Sequence, residues 1–364
     1  MTANAGILPQ ERSAFPQDAT VAVPATVLAI IDALRWAPSA DNRQPWRFSW
    51  NGGVLTAQRL RLSQTMSSAA QLAEKVSWGG LHEYMLQAAY AWGLDTGFEA
   101  DHDHVVLPIS AGEAEPHDPH LVHLLKTRST RRGPFRRARP PQQLLASIPS
   151  LGLTCASARV VPTVDQSDLI RHVALLSRLR FGLRPLHEDL ASALTPEGSD
   201  EGLPLSNLEL PPGGNTFLRL LLPWPAMACA GFFGAHRLLA KLEVGLLNRA
   251  PALVVLGATP DEQGALECGR LLVRIGLAAT AAGHVLHPYF LLGGMDHLLS
   301  QAISSGITAG ERAQALRALD EIASALPSRH RPRFLIRIGI PCTQAKRSRR
   351  LRVDRLLTVS RALS

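Results

Sequence analysis

The sequence predicts an α+β protein, an internally duplicated pseudo-dimer with antiparallel-rich mixed sheets flanked by helices, and three observations predict it. A helix, a hairpin, a second helix and strands follow one another in the first 110 residues. The same grammar returns after residue 250. The 364 residues, 46% of them hydrophobic, suffice for one large core or two ordinary ones.

Residues 1–22 mix Pro, Gln, Ser and Asp without periodicity and read as a mobile arm. A first half is expected over 23–118. Its "ATVLAIIDALRWA" sets Val27, Ile30, Ile31 and Leu34 at helical spacing, and Pro38 disfavours helical geometry just before it. "APSADNRQPW" (37–46) is therefore a helix-exit loop. "WRFSW" and "GVLTAQRLRL" alternate around Asn51-Gly52-Gly53, a hairpin turn. "AQLAEKVSWGGLHEYMLQAAYAWG" reads as a helix kinked at Gly79-Gly80, followed by strand-like "DTGFEA" and "HVVLPI".

A second half is expected over 119–364. "ALVVLGA" (252–258) is a buried strand, "ALECGRLLVRIGLAATAAG" (265–283) a helix, "HVLHPYFLLGG" an extended segment and "RFLIRIGI" the terminal strand. Setting Ala88-Ala89 on Ala278-Ala279 brings Gly93 onto Gly283, each followed by an extended segment. The region of about 185–250 is rich in Pro, Gly and Leu. Its apolar stretch 217–236 is broken by Arg219, Pro223 and Pro225, which argues against a membrane span. Ordinary core and a lid-like insertion over a pocket both remain open for it.

The formal charge of +8 comes largely from arginine, clustered in "KTRSTRRGPFRRARP" (126–140) and "KRSRRLR" (346–352). A solvated surface, a small anionic ligand and a nucleic acid all fit such clusters. With aromatic residues at 5% and only Phe135 inside a cluster, a stacking platform for single strands is not visible. The four cysteines are far apart and form no CxxC, so they read as buried, reduced thiols. No apolar run spans a bilayer and no signal-peptide pattern opens the chain, which predicts a cytoplasmic protein without membrane or nucleic-acid partners. His102 and His104 in "DHDH" lack an evident third metal ligand, as do His284 and His287, so no metal is expected. GxSxG, GxxxxGK[ST] and GxGxxG are absent.

"RWAPSADNRQPWRF" after a helix strongly resembles the flavin-binding loop of the nitroreductase superfamily, and "RSTRRGPF" resembles the motif with which that family grips the FMN phosphate. "LLGGMDHL" (291–298) is similar to its re-entrant segment beside the flavin ring, and "RIGIPCTQAKRSRR" to its last strand and second basic motif. The resemblance implies a nitroreductase-like fold and FMN. The family is usually a homodimer whose sites combine the loop of one chain with the phosphate grip of the other. Here the loop lies in the first half and the grip in the second, which resembles the duplicated subfamily in which one chain imitates the dimer. One complete site per chain follows, in a monomer or a homodimer.

The residue chemistry agrees. Phosphate recognition wants planar donors and a hydroxyl, offered by Arg128, Thr130 and Arg132 with Arg349 or Arg350. The isoalloxazine edge wants amide-type groups, offered by Ser39, Asn42 and Gln44, while Pro38 and Pro45 stiffen the loop. Asn42 and Gln44 also suit plain turn capping, and Trp46 suits a core anchor. Gly293 and Gly294 are the expected flavin-side glycines; the family commonly has an acidic residue where Gly293 falls. The resemblance thus implies an FMN oxidoreductase passing hydride through flavin N5 to or from a quinone, nitroarene, enone or biosynthetic intermediate, with NAD(P)H as a candidate reductant. The alternative is a non-catalytic FMN store under a lid formed by 217–236.

Overall fold

The computed structural model describes residues 22–61, 66–94, 99–100, 103–109, 115–301, 306–343 and 347–359. The expected arm up to residue 21, and His102, lie outside them.

Helix α1 (Ala25–Leu34) buries Val27, Ile30, Ile31 and Leu34 completely. Strands β1 (Trp46–Trp50) and β2 (Val54–Arg59) form the expected hairpin. Asn51 Oδ1 closes its turn by accepting from the Gly53 and Val54 amides at 3.2 and 2.9 Å. Helix α2 (Ser68–Trp92) leads to β3 (Glu99–Ala100) and β4 (His104–Pro108).

A second passage begins with α3 (Pro119–Thr127), α4 (Gln142–Ser147) and β5 (Ala156–Val160). A long insertion then holds α5 (Gln166–Phe181), α6 (Arg184–Ala193), the ribbon β6 (Leu194–Thr195) and β7 (Leu203–Pro204), and α7 (Gly214–Leu221), α8 (Trp224–Phe232) and α9 (Ala235–Leu247). The passage resumes with β8 (Ala252–Ala258), α10 (Glu262–Ala281), β9 (Val285–Tyr289), α11 (Leu291–Ser300), α12 (Ala309–Ala323) and β10 (Arg331–Gly339). A tail carries α13 (Val353–Leu356) and β11 (Leu357–Val359).

The duplication is visible in the strand order. The first sheet runs β1-β2-β4-β3 and the second β5-β8-β10-β9, every pair antiparallel, with α2 joining β2 to β3 and α10 joining β8 to β9 at the equivalent point. The insertion α5–α9 separates β5 from β8. Strand β11 then pairs in parallel with β1, so the tail of the chain completes the first sheet.

Helices α2 and α10 cross at two glycines. A Cβ on Gly79 would fall 2.0 Å from the Leu266 carbonyl oxygen, and one on Gly269 would fall 1.9 Å from that of Val76. The alignment that sets Gly93 on Gly283 also sets Gly79 on Gly269, so each copy contributes one glycine to the crossing. This corrects the expected kink: α2 is continuous, and Gly79 is a packing notch. Beside it Glu83, fully buried, receives Arg270 Nε at 3.0 Å and Arg274 Nε at 2.9 Å, a buried carboxylate with its charge paired.

Two further expectations are corrected. "LLGGMDHL" is helical rather than extended, because Leu291, Leu292, Met295, Leu298 and Leu299 recur at helical spacing and are all buried. Among the cysteines only Cys268 is buried; Cys155 is half-buried and Cys229 and Cys342 are exposed, all four being free thiols.

Candidate functional site

The loop after α1 concentrates left-handed backbone geometry among the described residues. Asp41, Asn42 and Gln44 have φ of 49°, 59° and 48°, three of the five left-handed non-glycine residues among those described. Asn and Asp tolerate that region through local hydrogen bonds; Gln44 is fully buried and its side chain and backbone are both hydrogen-bonded. Ser39 Oγ accepts the Gln44 amide at 3.1 Å, and Ser77 Oγ of α2 accepts the Ala40 amide at 2.9 Å.

Against this loop lie two basic segments. Thr130 makes a parallel bridge with Leu286, so the strand-like run after α3 follows the edge of β9. The tail runs past on the other side. Together they form a narrow cleft of about 60 Å³, its lining including Pro38, Ser39, Asn42, Arg128, Thr130, Arg132 and Arg350. Those seven residues, expected from sequence at one site, are thus brought together across the two copies.

The cleft is rich in positive charge. Arg128, with its side chain almost fully buried, donates through Nε to Tyr84 Oη at 2.9 Å and through Nη2 to the Trp36 carbonyl at 3.3 Å. Its methylenes rest on Gly276 of α10, where a Cβ would stand 3.2 Å from Arg128 Cδ. Arg347 stacks on the Trp36 ring at 3.8 Å and donates to the Arg128 carbonyl at 3.0 Å. Burial, then the neighbouring Arg128, push Arg347 down to about 10 and Arg350 to about 9. Arg350 Nη1 donates to Asn42 Oδ1, while its buried Nε has no partner. Burial also lowers Arg132, against the attraction of Asp41 and Glu209.

Glu209 is the one carboxylate among the described residues lining the cleft. A strap over 197–209, which includes β7, carries Glu209, itself left-handed at φ 52°, whose Oε1 accepts the Arg132 backbone N–H at 2.8 Å and lies 3.4 Å from Arg131 Nε. The Asn207 carbonyl accepts Arg132 Nη1 at 3.2 Å, and Asn207 Nδ2 donates to Ser348 Oγ at 2.8 Å.

The loop amides are already engaged, and three expected residues, Arg349, Gly293 and Gly294, do not line the cleft. Asn42 Nδ2 donates to the carbonyls of Gly202 and Arg349, both at 3.0 Å. Gln44 is fully buried, its Nε2 donating to the Asp200 carbonyl at 2.8 Å and its Oε1 accepting the Leu351 amide at 2.9 Å. These amides therefore clasp the strap and the tail instead of presenting an open polar edge. Arg349 turns to the Gly198 carbonyl at 3.0 Å, outside the cleft. Gly293 and Gly294 lie inside α11 and are not in the cleft; a Cβ on Gly293 would meet Phe290 at 2.8 Å and the Arg333 carbonyl at 3.0 Å, so close helix–strand packing is what requires it.

Sequence reasoning passed over Trp36, Arg347 and Glu209. Arg347 stood inside a cluster already noted; Trp36 flanked the loop; Glu209 carried no local signal. Segment 217–236 does not line the cleft, where Leu203, Asn207 and Glu209 do instead. Of the histidines, His284 Nδ1 faces the Ala282 carbonyl at 2.6 Å and His287 Nδ1 faces Arg337 Nη2 at 2.8 Å.

Neither a family model nor a curated protein matches the chain. Among solved structures it is similar to an FMN-dependent nitroreductase from Mycobacterium smegmatis in complex with NADPH, at 15% identity over 66% of this chain and 97% of that one, TM-score 0.38. It is similar to a BluB-like flavoprotein from Clostridium difficile at 11% identity over 65% of this chain and 97% of that one, TM-score 0.38. A nitroreductase with bound FMN from Bacteroides fragilis is similar at 15% identity over 62% of this chain and 91% of that one, TM-score 0.33. These are distant likenesses, and they speak to neither substrate nor reaction.

Proposed function

We propose that the chain is an FMN-dependent oxidoreductase whose cofactor phosphate is held by Arg128, Arg132, Arg347 and Arg350 beneath the loop 38–44. The observation that carries this reading is the charge imbalance of the cleft: four guanidiniums drawn from two distant segments, with Glu209 the one carboxylate among its described lining residues. Cations withdrawn from water with too little negative charge to balance them call for an anion. Planar donors beside the Thr130 and Ser348 hydroxyls suit a phosphate monoester, and the orphaned Arg350 Nε is one donor that such an anion would satisfy.

A cleft of about 60 Å³ admits the phosphate alone, whereas a cofactor-sized ligand needs roughly 300 Å³ or more. The strap 197–209 therefore has to withdraw. Its departure would free Asn42 Nδ2 from Gly202 and Gln44 Nε2 from Asp200, giving donors for the ring's polar edge. Pro38 and Ser39 would border the ring. When bound, FMN would supply hydride transfer through its N5. The protein's part is to fix the phosphate, hold the loop and exclude water.

The substrate class that suits this chemistry is a small organic molecule such as a quinone, nitroarene, enone or biosynthetic intermediate, with NAD(P)H as the proposed reductant. A cytoplasmic location belongs to the same reading. The internal duplication makes a monomer sufficient, although a homodimer of such chains fits equally. A second reading, an FMN store, is favoured by the strap that closes the cleft. Anaerobic NADPH addition followed by menadione separates the two. Bleaching and multiple turnovers support the oxidoreductase; a bound flavin that neither bleaches nor meets dioxygen after photoreduction supports the store.

A further inference from the structure

Large apolar side chains left in solvent are unevenly distributed over this protein. Phe217, Leu220, Phe232, Phe233, Leu238 and Leu242 are 37, 68, 88, 81, 49 and 49% exposed, and all six fall on the consecutive helices α7, α8 and α9 or on the turn between the last two. Single exposed apolar residues are ordinary, whereas a concentrated patch marks a contact surface. Phe232 and Phe233 form its tip, edge to face at 5.5 Å on the turn made by Gly234 at φ 91°.

The charge of the same region is one-sided. Between residues 211 and 250 stand Arg219, Arg237, Lys241 and Arg249, all exposed, against a single carboxylate, Glu243. Glu243 is turned inward, where it accepts from Ser177 Oγ and from Arg180 at 3.1 Å. A cavity of about 510 Å³ opens beside the phenylalanine pair, lined in part by Arg178, His236 and Arg237; Glu311 on its rim is held by Thr308 and lies near Arg178.

We propose that the outer face of α7, α8 and α9 is an interfacial docking surface for an anionic lipid bilayer, the two phenylalanines entering the headgroup layer and the four basic side chains meeting lipid phosphates. Aromatic tips flanked by cations are what a bilayer interface selects. A second copy of the chain fits less well, because a two-fold contact sets the same patch against itself and brings these cations together without carboxylates. Spanning is not the mode: no helix among the described residues is long and apolar enough to cross a membrane. The surface also lies outside the arginine cleft, none of whose lining residues it contains.

The test is flotation of the full chain with phosphatidylcholine vesicles, with and without phosphatidylglycerol, at low and high salt. Flotation is expected only with the anionic vesicles at low salt. Lys241→Glu and Arg237→Glu should each weaken it by roughly fivefold or more. Phe232→Ser combined with Phe233→Ser should abolish it while leaving the circular dichroism unchanged, since both rings stand in solvent. Failure to float with anionic vesicles overturns the proposal, as does equal binding to neutral ones. A concentration-dependent dimer that the phenylalanine variant abolishes, without flotation, assigns the face to a second copy instead.

Discussion

The Glu209 carboxylate accepts the backbone N–H of Arg132 at 2.8 Å, across 77 residues of chain, and so sits where an anion would meet the arginine cleft. Its place is that of a built-in competitor. Glu209→Gln keeps the shape and removes the charge, so FMN or inorganic phosphate is expected to bind about tenfold more tightly, ~1.4 kcal/mol. Flavin fluorescence quenching measures it. Unchanged or weaker binding would mean that Glu209 and the ligand do not share a place.

Asn42 joins the loop to both the strap and the tail. Asn42→Ala leaves the Gly202 and Arg349 carbonyls without this donor and forces a Cβ-bearing residue to keep a φ of 59° without local help. A loss of about 1–3 kcal/mol in urea unfolding is expected, together with lower flavin content. Asn42→Gly should restore part of the stability, because glycine accepts that φ. Arg128→Ala should also lower flavin content. Full flavin retention in Asn42→Ala, with loss in Arg128→Ala, would refute a site assembled across the two copies.

At the helix crossing, Gly269→Ala would drive a methyl against the Val76 carbonyl. The expected cost is about 1–3 kcal/mol or more, as for other overpacked cores. Gly245 of α9 is the control, since a Cβ there meets nothing within 4 Å; Gly245→Ala should stabilise by about 0.5–1 kcal/mol. Equal effects at the two positions would contradict the crossing.

His287 is buried and lowered well below the ordinary histidine range, by burial first and by Arg337 and Arg132 next. The unfolded chain therefore takes up a proton near pH 6.5 that the folded chain refuses. Stability is fully present above that pH and falls as pH drops through it, by up to about 1.4 kcal/mol per pH unit. Urea midpoints at pH 7, 6 and 5 should converge between the wild type and His287→Asn as the pH falls. Parallel curves would show that His287 is not the group responsible.

Local pattern was enough to read α1, the β1–β2 hairpin, α2, β8, α10 and β10, because each is specified by apolar spacing and its own turn residues. What escaped depends on distant partners. Strand β11 has meaning only beside β1, some 310 residues earlier, and Gly79 reads as a breaker until Leu266 is placed against it. The arginines were legible as two dense stretches of charge, 126–140 and 346–352, each of which contributes lining residues to the cleft. The present partners of the Asn42 and Gln44 amides were not legible, because an amide serves a ligand and a backbone carbonyl with the same atoms.

One cofactor site per chain, built from both copies, is the assembly on which the proposed function rests. The most direct measurement is the visible absorption spectrum of the purified chain, with released flavin quantified per polypeptide. One FMN per chain, sharply reduced in Arg350→Met, is the predicted result. A colourless protein that also refuses added FMN would rule out such a site.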